Sequence, residues 1–190
     1  MTVYPTTADE YQAMCADDYT NAMKRRPYFK GHGDLQPALD ERGRVRFKRW
    51  LKIWKVPLFE FTNSPIAPLT FCDEDGNDWQ PDNHFITDGG SIPPPFWDMP
   101  FLSLGPWNSP RAFPLHDSIF TYGGAYRGGK FCRISRDHAD GILRRAVLAD
   151  TGSKASAAAV RMGVWVGSRF VWNEKAQAEA RFHAGITVAG

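Results

Sequence analysis

The order of sequence signals predicts an α+β fold: a small antiparallel sheet over residues 45–87, then a helical C-terminal half, with an N-terminal helical extension. Three observations carry this expectation. Short apolar runs broken by turn residues fill residues 45–87. Apolar residues at helical spacing dominate the chain after residue 112. There is no strand–helix alternation of the kind a parallel sheet needs. The expected organisation is an N-terminal extension over 1–40, a main α+β domain over 41–172 and a C-terminal helical tail over 173–190.

Each element has a local reason. Thr7-Ala8-Asp9-Glu10 is a capping box, and Tyr11, Met14, Cys15, Tyr19 and Ala22 follow at helical spacing, with a stop expected before Pro27. Gly31-His32-Gly33-Asp34 reads as irregular, with His32 in a turn. Val45, Phe47, Leu51 and Ile53 suggest strand, Pro57 interrupts it, and Leu58, Phe59 and Phe61 resume it. Leu69–Cys72 and Trp79 flank an Asp-Gly turn, a hairpin signal. The acids Asp73, Asp75 and Asp78 invite a calcium loop, but His84 stands where an EF-hand needs Glu. From Phe85 to Pro114 proline is too dense for long regular structure, and Phe96, Trp97, Phe101 and Trp107 are expected to pin the segment onto the core.

The helical half starts with a short helix from Ala112 to Phe120. Gly123-Gly124 and Gly128-Gly129 then read as a mobile loop. Ser135 is an N-cap with Asp137 in the first turn, and Ile142, Leu143, Ala146 and Val147 form a buried stripe ending at Thr151-Gly152. Ser153 caps the next helix, whose Ala155, Ala158, Ala159 and Met162 give a small-residue face. Asn173–His183 reads as a polar exposed helix or a partner-binding tail.

Composition excludes some functions. The 190 residues carry 23 Lys and Arg against 21 Asp and Glu, a balance that argues against specific nucleic-acid binding. Basic residues cluster at Lys24-Arg25-Arg26 and between Arg42 and Lys55; a helix end and a solvated strand face explain them, with a phosphate-binding surface as the rival reading. Cys15, Cys72 and Cys132 form neither a C-x-x-C nor a disulfide framework, which suits a reducing compartment. No signal peptide and no transmembrane segment are expected, because Met1–Pro5 lacks a basic and apolar lead and the best apolar run, 163–172, is interrupted by Arg169.

One constellation looks like a site. Thr87-Asp88-Gly89-Gly90-Ser91-Ile92-Pro93, His116-Asp117 and Ser135-Arg136-Asp137-His138-Ala139-Asp140 place acids and a histidine at the ends of expected elements. A helical hairpin can bring Asp140 against His116, where a carboxylate would fix the tautomer and leave the other nitrogen as a base. His116 and Asp140 are therefore the candidate catalytic residues. Asp88 and Asp117 are the candidate metal ligands, for a divalent cation such as calcium completed by water. Each residue also has a structural explanation: Asp88 as a turn cap, Asp140 as an ion pair with Arg136 or Arg144, His116 as a satisfied buried imidazole. His138 reads as a surface residue. Cys132 lacks a positioning motif for a thiol–histidine pair, and Ser91 lacks a nucleophile elbow.

On these motifs, with the proline loop between them and a final Gly167–Trp172 segment, the chain over residues 45–172 resembles a small family of tailed-phage and prophage proteins known chiefly as a domain of unknown function. It departs from that pattern at Pro94, where the family often has Arg, and at Ser118-Ile119-Phe120, where it is aromatic-rich. The resemblance implies a phage context: a virion-associated structural or interaction protein of the tail or assembly machinery, with other virion proteins as partners, in the virion or host cytoplasm. His116, Asp117 and Asp140 are also similar in order to the His-Asp class of secreted phospholipases, without that class's disulfides or calcium loop. That likeness implies the alternative, a metal-assisted hydrolase of esters or phosphoesters.

Overall fold

The structure is a computed structural model that describes residues 26–50, 54–88 and 109–188. The helix expected after Thr7 and the loop with Ser91 lie outside the described residues. In chain order come β1 (Tyr28–Lys30), β2 (Gly33–Pro37), β3 (Phe47–Trp50), β4 (Trp54–Pro57), β5 (Phe59–Asn63), β6 (Thr70–Cys72), β7 (Asp78–Trp79) and β8 (Phe85–Thr87). Then follow α1 (Ala112–Tyr122), β9 (Gly124–Arg127), β10 (Lys130–Arg133), α2 (Arg136–Thr151), α3 (Lys154–Val171) and α4 (Glu174–His183). The class is α+β.

Every pairing between these strands is antiparallel, but the pairs form small separate sheets rather than one. The orders are β1-β6-β7, β2-β5-β8, β3-β4 and β9-β10. Pairing begins earlier in the chain than residue 45. Phe29 lies opposite Phe71, and Leu35 opposite Phe61, so residues 28–37 join the sheets. The Asp-Gly hairpin forms as expected: β6 pairs with β7 around it, and Asp73 accepts from the amides of Asp75 and Asn77 and from Trp79 Nε1 at 2.9 Å. Those donors fill Asp73, which is a turn lock here rather than a cation ligand.

The expected mobile loop after α1 is instead a hairpin. Gly124–Arg127 pairs with Lys130–Arg133 across Gly128-Gly129, both at positive φ, as a tight turn requires.

The helix ends follow capping chemistry. Ser135 Oγ accepts from the His138 amide, Ser153 Oγ from Ser156, and Asn173 Oδ1 from Lys175 and Ala176. Gly152 closes α2 in the left-handed region.

One apolar core joins these pieces: Phe29, Phe61 and Phe71 from the strands, Phe113 and Ile119 from α1, Ile142 and Val147 from α2, and Val160 from α3. Of the eleven residues of α1, eight are buried, so it is a central strut rather than a surface helix. Its N-terminus is held by Asp150 of α2, which accepts from the amides of Arg111 and Ala112 at 3.0 and 3.3 Å and from Arg111 Nε at 2.7 Å. A carboxylate there satisfies orphan amides and favours the helix dipole. The Arg111 guanidinium also lies 4.8 Å above the Phe29 ring, which ties α1 to β1.

Candidate functional site

α1 brings His116 to the middle of the molecule, where it is 4% exposed. Its Nδ1 lies 3.5 Å from Asp117 Oδ1, and its Nε2 lies 3.7 Å from Asp140 Oδ1 on α2. Both nitrogens thus face a carboxylate at slightly more than hydrogen-bond length, and neither makes a regular hydrogen bond. The effect on the imidazole is a balance. Burial pulls its pKa down, but the two carboxylates outweigh burial and raise it above 6.5.

The second acid has the opposite character. Burial raises the Asp117 pKa first, and the neighbouring Asp88 charge adds to the rise against the pull of His116 and Thr87. The Thr87 hydroxyl donates to Asp117 Oδ2, joining the end of β8 to α1. Asp88, next in the chain, is a buried carboxylate at 2.7 Å from Lys48 Nζ on β3.

The four residues singled out from sequence therefore come together: Asp140 and Asp117 flank His116, and Asp88 acts on Asp117. Arg136, one of the two arginines of the alternative surface ion pair, bonds Asp137 at 2.9 Å. Lys48 and Thr87 belong to the cluster and were not singled out. Lys48 is hidden in sequence within a basic run, and its partner lies forty residues away. Among the described residues no group of three or more His, Cys, Asp or Glu is placed to hold a metal ion. Asp88 and Asp117 are neighbours, but Asp88 already holds Lys48.

His138 is exposed as expected and sets its ring edge against Trp79 at 5.6 Å. Cys132 lies on β10, with its thiol directed to the Lys130 carbonyl at 3.6 Å. Ser91 lies outside the described residues.

A cleft of about 520 Å³ lies where the start of α2 meets the start of α4, lined by Arg133, Ser135, Arg136, Trp172, Glu174 and Gln177 among others. Trp172 meets Phe120 edge-on at 4.9 Å, and Phe120 lies 4.3 Å from the His116 ring. His116 does not line this cleft; Phe120 stands between it and Trp172.

Chemically the cluster is a buried imidazole flanked by two carboxyl groups, with the Lys48–Asp88 ion pair alongside. It can hold a proton firmly and tie three elements together. Comparison with protein-family models, curated proteins and solved structures finds no match for this chain.

Proposed function

We propose that this chain is a phage-encoded, virion-associated interaction protein of the tail or assembly machinery, and that the His116 cluster is its internal charge tie. The phage context rests on the motif resemblance. The observation that carries the non-catalytic role is that both nitrogens of a buried His116 face carboxylates. An imidazole whose pKa is raised by two flanking carboxylates holds its proton more tightly than a free one and is a weaker general base. Apolar side chains are presented to solvent elsewhere: Phe182 on α4 is 82% exposed and Met162 on α3 is 72% exposed.

A second reading is favoured by one specific observation. Asp140 faces Nε2, and Asp117 with Asp88 lies on the Nδ1 side, the order found in His-Asp phospholipases. In that reading Asp140 orients His116, and Asp88 and Asp117 hold a hard cation such as calcium that activates water.

One pair of measurements separates them. Gradient-purified virions of the encoding phage are probed for the chain, and the purified chain is assayed on phospholipid, phosphoester and peptidoglycan with calcium or zinc. Presence in the particle with no turnover supports the interaction protein. Metal-dependent turnover that Asp140→Asn abolishes, with melting unchanged, replaces it with the hydrolase.

A further inference from the structure

We infer that the solvent face of the β3–β4 ribbon, with the turn leading into it, docks on the phosphate backbone of nucleic acid without reading its sequence. This goes beyond the reading above and does not depend on it.

The charge distribution comes first. Seven of the 23 Lys and Arg lie between Arg42 and Lys55, with no acid among them, leaving 16 basic residues against 21 acidic ones elsewhere. A nearly neutral chain therefore has a strongly cationic arm on an acidic body. The near balance of total charge conceals this, so it is no guide to what the arm binds.

The register sorts that charge by face. Lys48 lies opposite Val56, and this face turns inward: Val56 is 2% exposed, and Lys48 reaches the buried Asp88. Residues alternate along a strand, so Phe47, Arg49 and Lys55 share the other face. Arg49 and Lys55 are direct cross-strand partners, and both are exposed. Like charges placed opposite each other destabilise a ribbon. Within this segment Arg44 bonds Asp40 and Lys48 bonds Asp88, whereas Arg42, Arg46, Arg49 and Lys55 form no ion pair among the described residues. Among the described residues β3 and β4 pair only with each other as a two-stranded sheet, so the ribbon is not built into a larger sheet.

Four unpaired cations, two of them mutually repelling, match a polyanion. Four of the seven basic residues are arginines, whose planar forks suit phosphate oxygens. Phe47, 56% exposed on the same face as Arg49 and Lys55, offers a ring on which a base can stack while its phosphates meet those two cations. A bilayer would call for a broad apolar face; here the exposed apolar side chains are Leu39, Val45 and Phe47, interspersed with Arg42, Arg44, Arg46 and Arg49.

The test is fluorescence anisotropy of the full chain with labelled single-stranded and duplex oligonucleotides of unrelated sequences, from 50 to 200 mM salt. The expected result is sequence-independent binding that weakens steeply with salt. Arg49→Gln with Lys55→Gln should flatten the log–log salt slope on single strands by about 1.4, two phosphates at about 0.7 each. Phe47→Ala should weaken single-strand binding about fivefold or more. The double variant should melt no lower than wild type, since it removes a repulsion, and Lys130→Gln, exposed on β10, should bind as wild type. Absence of salt-dependent binding, an unchanged slope in the double variant, or binding to phosphatidylcholine–phosphatidylserine vesicles but to no oligonucleotide would each overturn the inference.

Discussion

At the scale of single residues, His116 ties stability to pH. Its folded pKa is raised, so the stability it contributes is complete below its unfolded value near 6.5 and is lost as pH rises through the folded value. His116→Gln leaves Asp117 and Asp140 buried without their shared cation. That should cost about 3 kcal/mol near pH 6, the usual penalty for breaking a buried ion group. The gap between wild type and variant should narrow as pH climbs, because the wild-type imidazole then becomes neutral too. Urea titrations at pH 6 and pH 9 measure both gaps; a constant gap would show that folding leaves the His116 pKa unshifted, and a widening gap that it is buried neutral. The residues of this cluster were legible in sequence because their side chains admit few uses when buried. Asp140 on a helix with an apolar stripe, and His-Asp on another, announce a polar contact within a core. Thr87 and Lys48 were not legible, because what recruits them is three-dimensional: the end of β8 abuts α1, and the inward face of β3 covers Asp88.

At the scale of elements, local chemistry decided what could be read. The caps at Ser135, Ser153 and Asn173 and the stop at Gly152 follow from hydrogen bonds between residues two to four apart, so sequence suffices for them. Strands β1 and β2 follow from partners far along the chain, and residues 28–37 alone show too little alternation to declare themselves. The β9–β10 hairpin was readable in principle: Gly128-Gly129 separates two runs of four residues, a two-residue turn signal. The other glycines nearby hid it. One of these, Gly123, does separate work. It ends α1 at φ 70°, donates its amide to Ile119, and lies where a Cβ would meet Gln177 Oε1 at 2.6 Å. Gly123→Ala should therefore cost about 2 kcal/mol or more, combining left-handed strain with displacement of α4. Urea denaturation gives the size, and a loss below half a kcal/mol would mean that α4 yields freely.

The molecule as a whole is tuned against alkali. Burial, with Asp78 adding to it, raises the Cys72 thiol to about 11 from 9.0. Burial raises Tyr28 and Tyr126 to about 12 from 10.0, with Cys72 adding to the shift at Tyr28 and Asp82 at Tyr126. For each group the unfolded chain ionises first, so its stability is complete below the unfolded value and drains away as pH rises through the folded one. Melting temperature should accordingly fall between about pH 9 and pH 12, and Tyr126→Phe should shallow that fall. A flat profile to pH 12 would contradict the burial of these groups. No described helix is long and apolar enough to cross a membrane.

The two ends of α1 are also completed at different times. Asp150 closes its N-terminus from the next helix but one hairpin, whereas the carbonyls of Phe120 and Tyr122 are taken by Gln177 and Arg181 of α4, fifty-seven and fifty-nine residues later. A ribosome adding about 5–20 residues per second needs roughly 3–12 seconds to cover that interval. Throughout it the helix that carries His116 has only its Gly123 cap at the far end, with the Phe120 and Tyr122 carbonyls still without their α4 partners. A nascent chain stalled before residue 177 would thus display an almost complete core whose central helix still frays, the kind of half-finished surface that chaperones and proteases recognise.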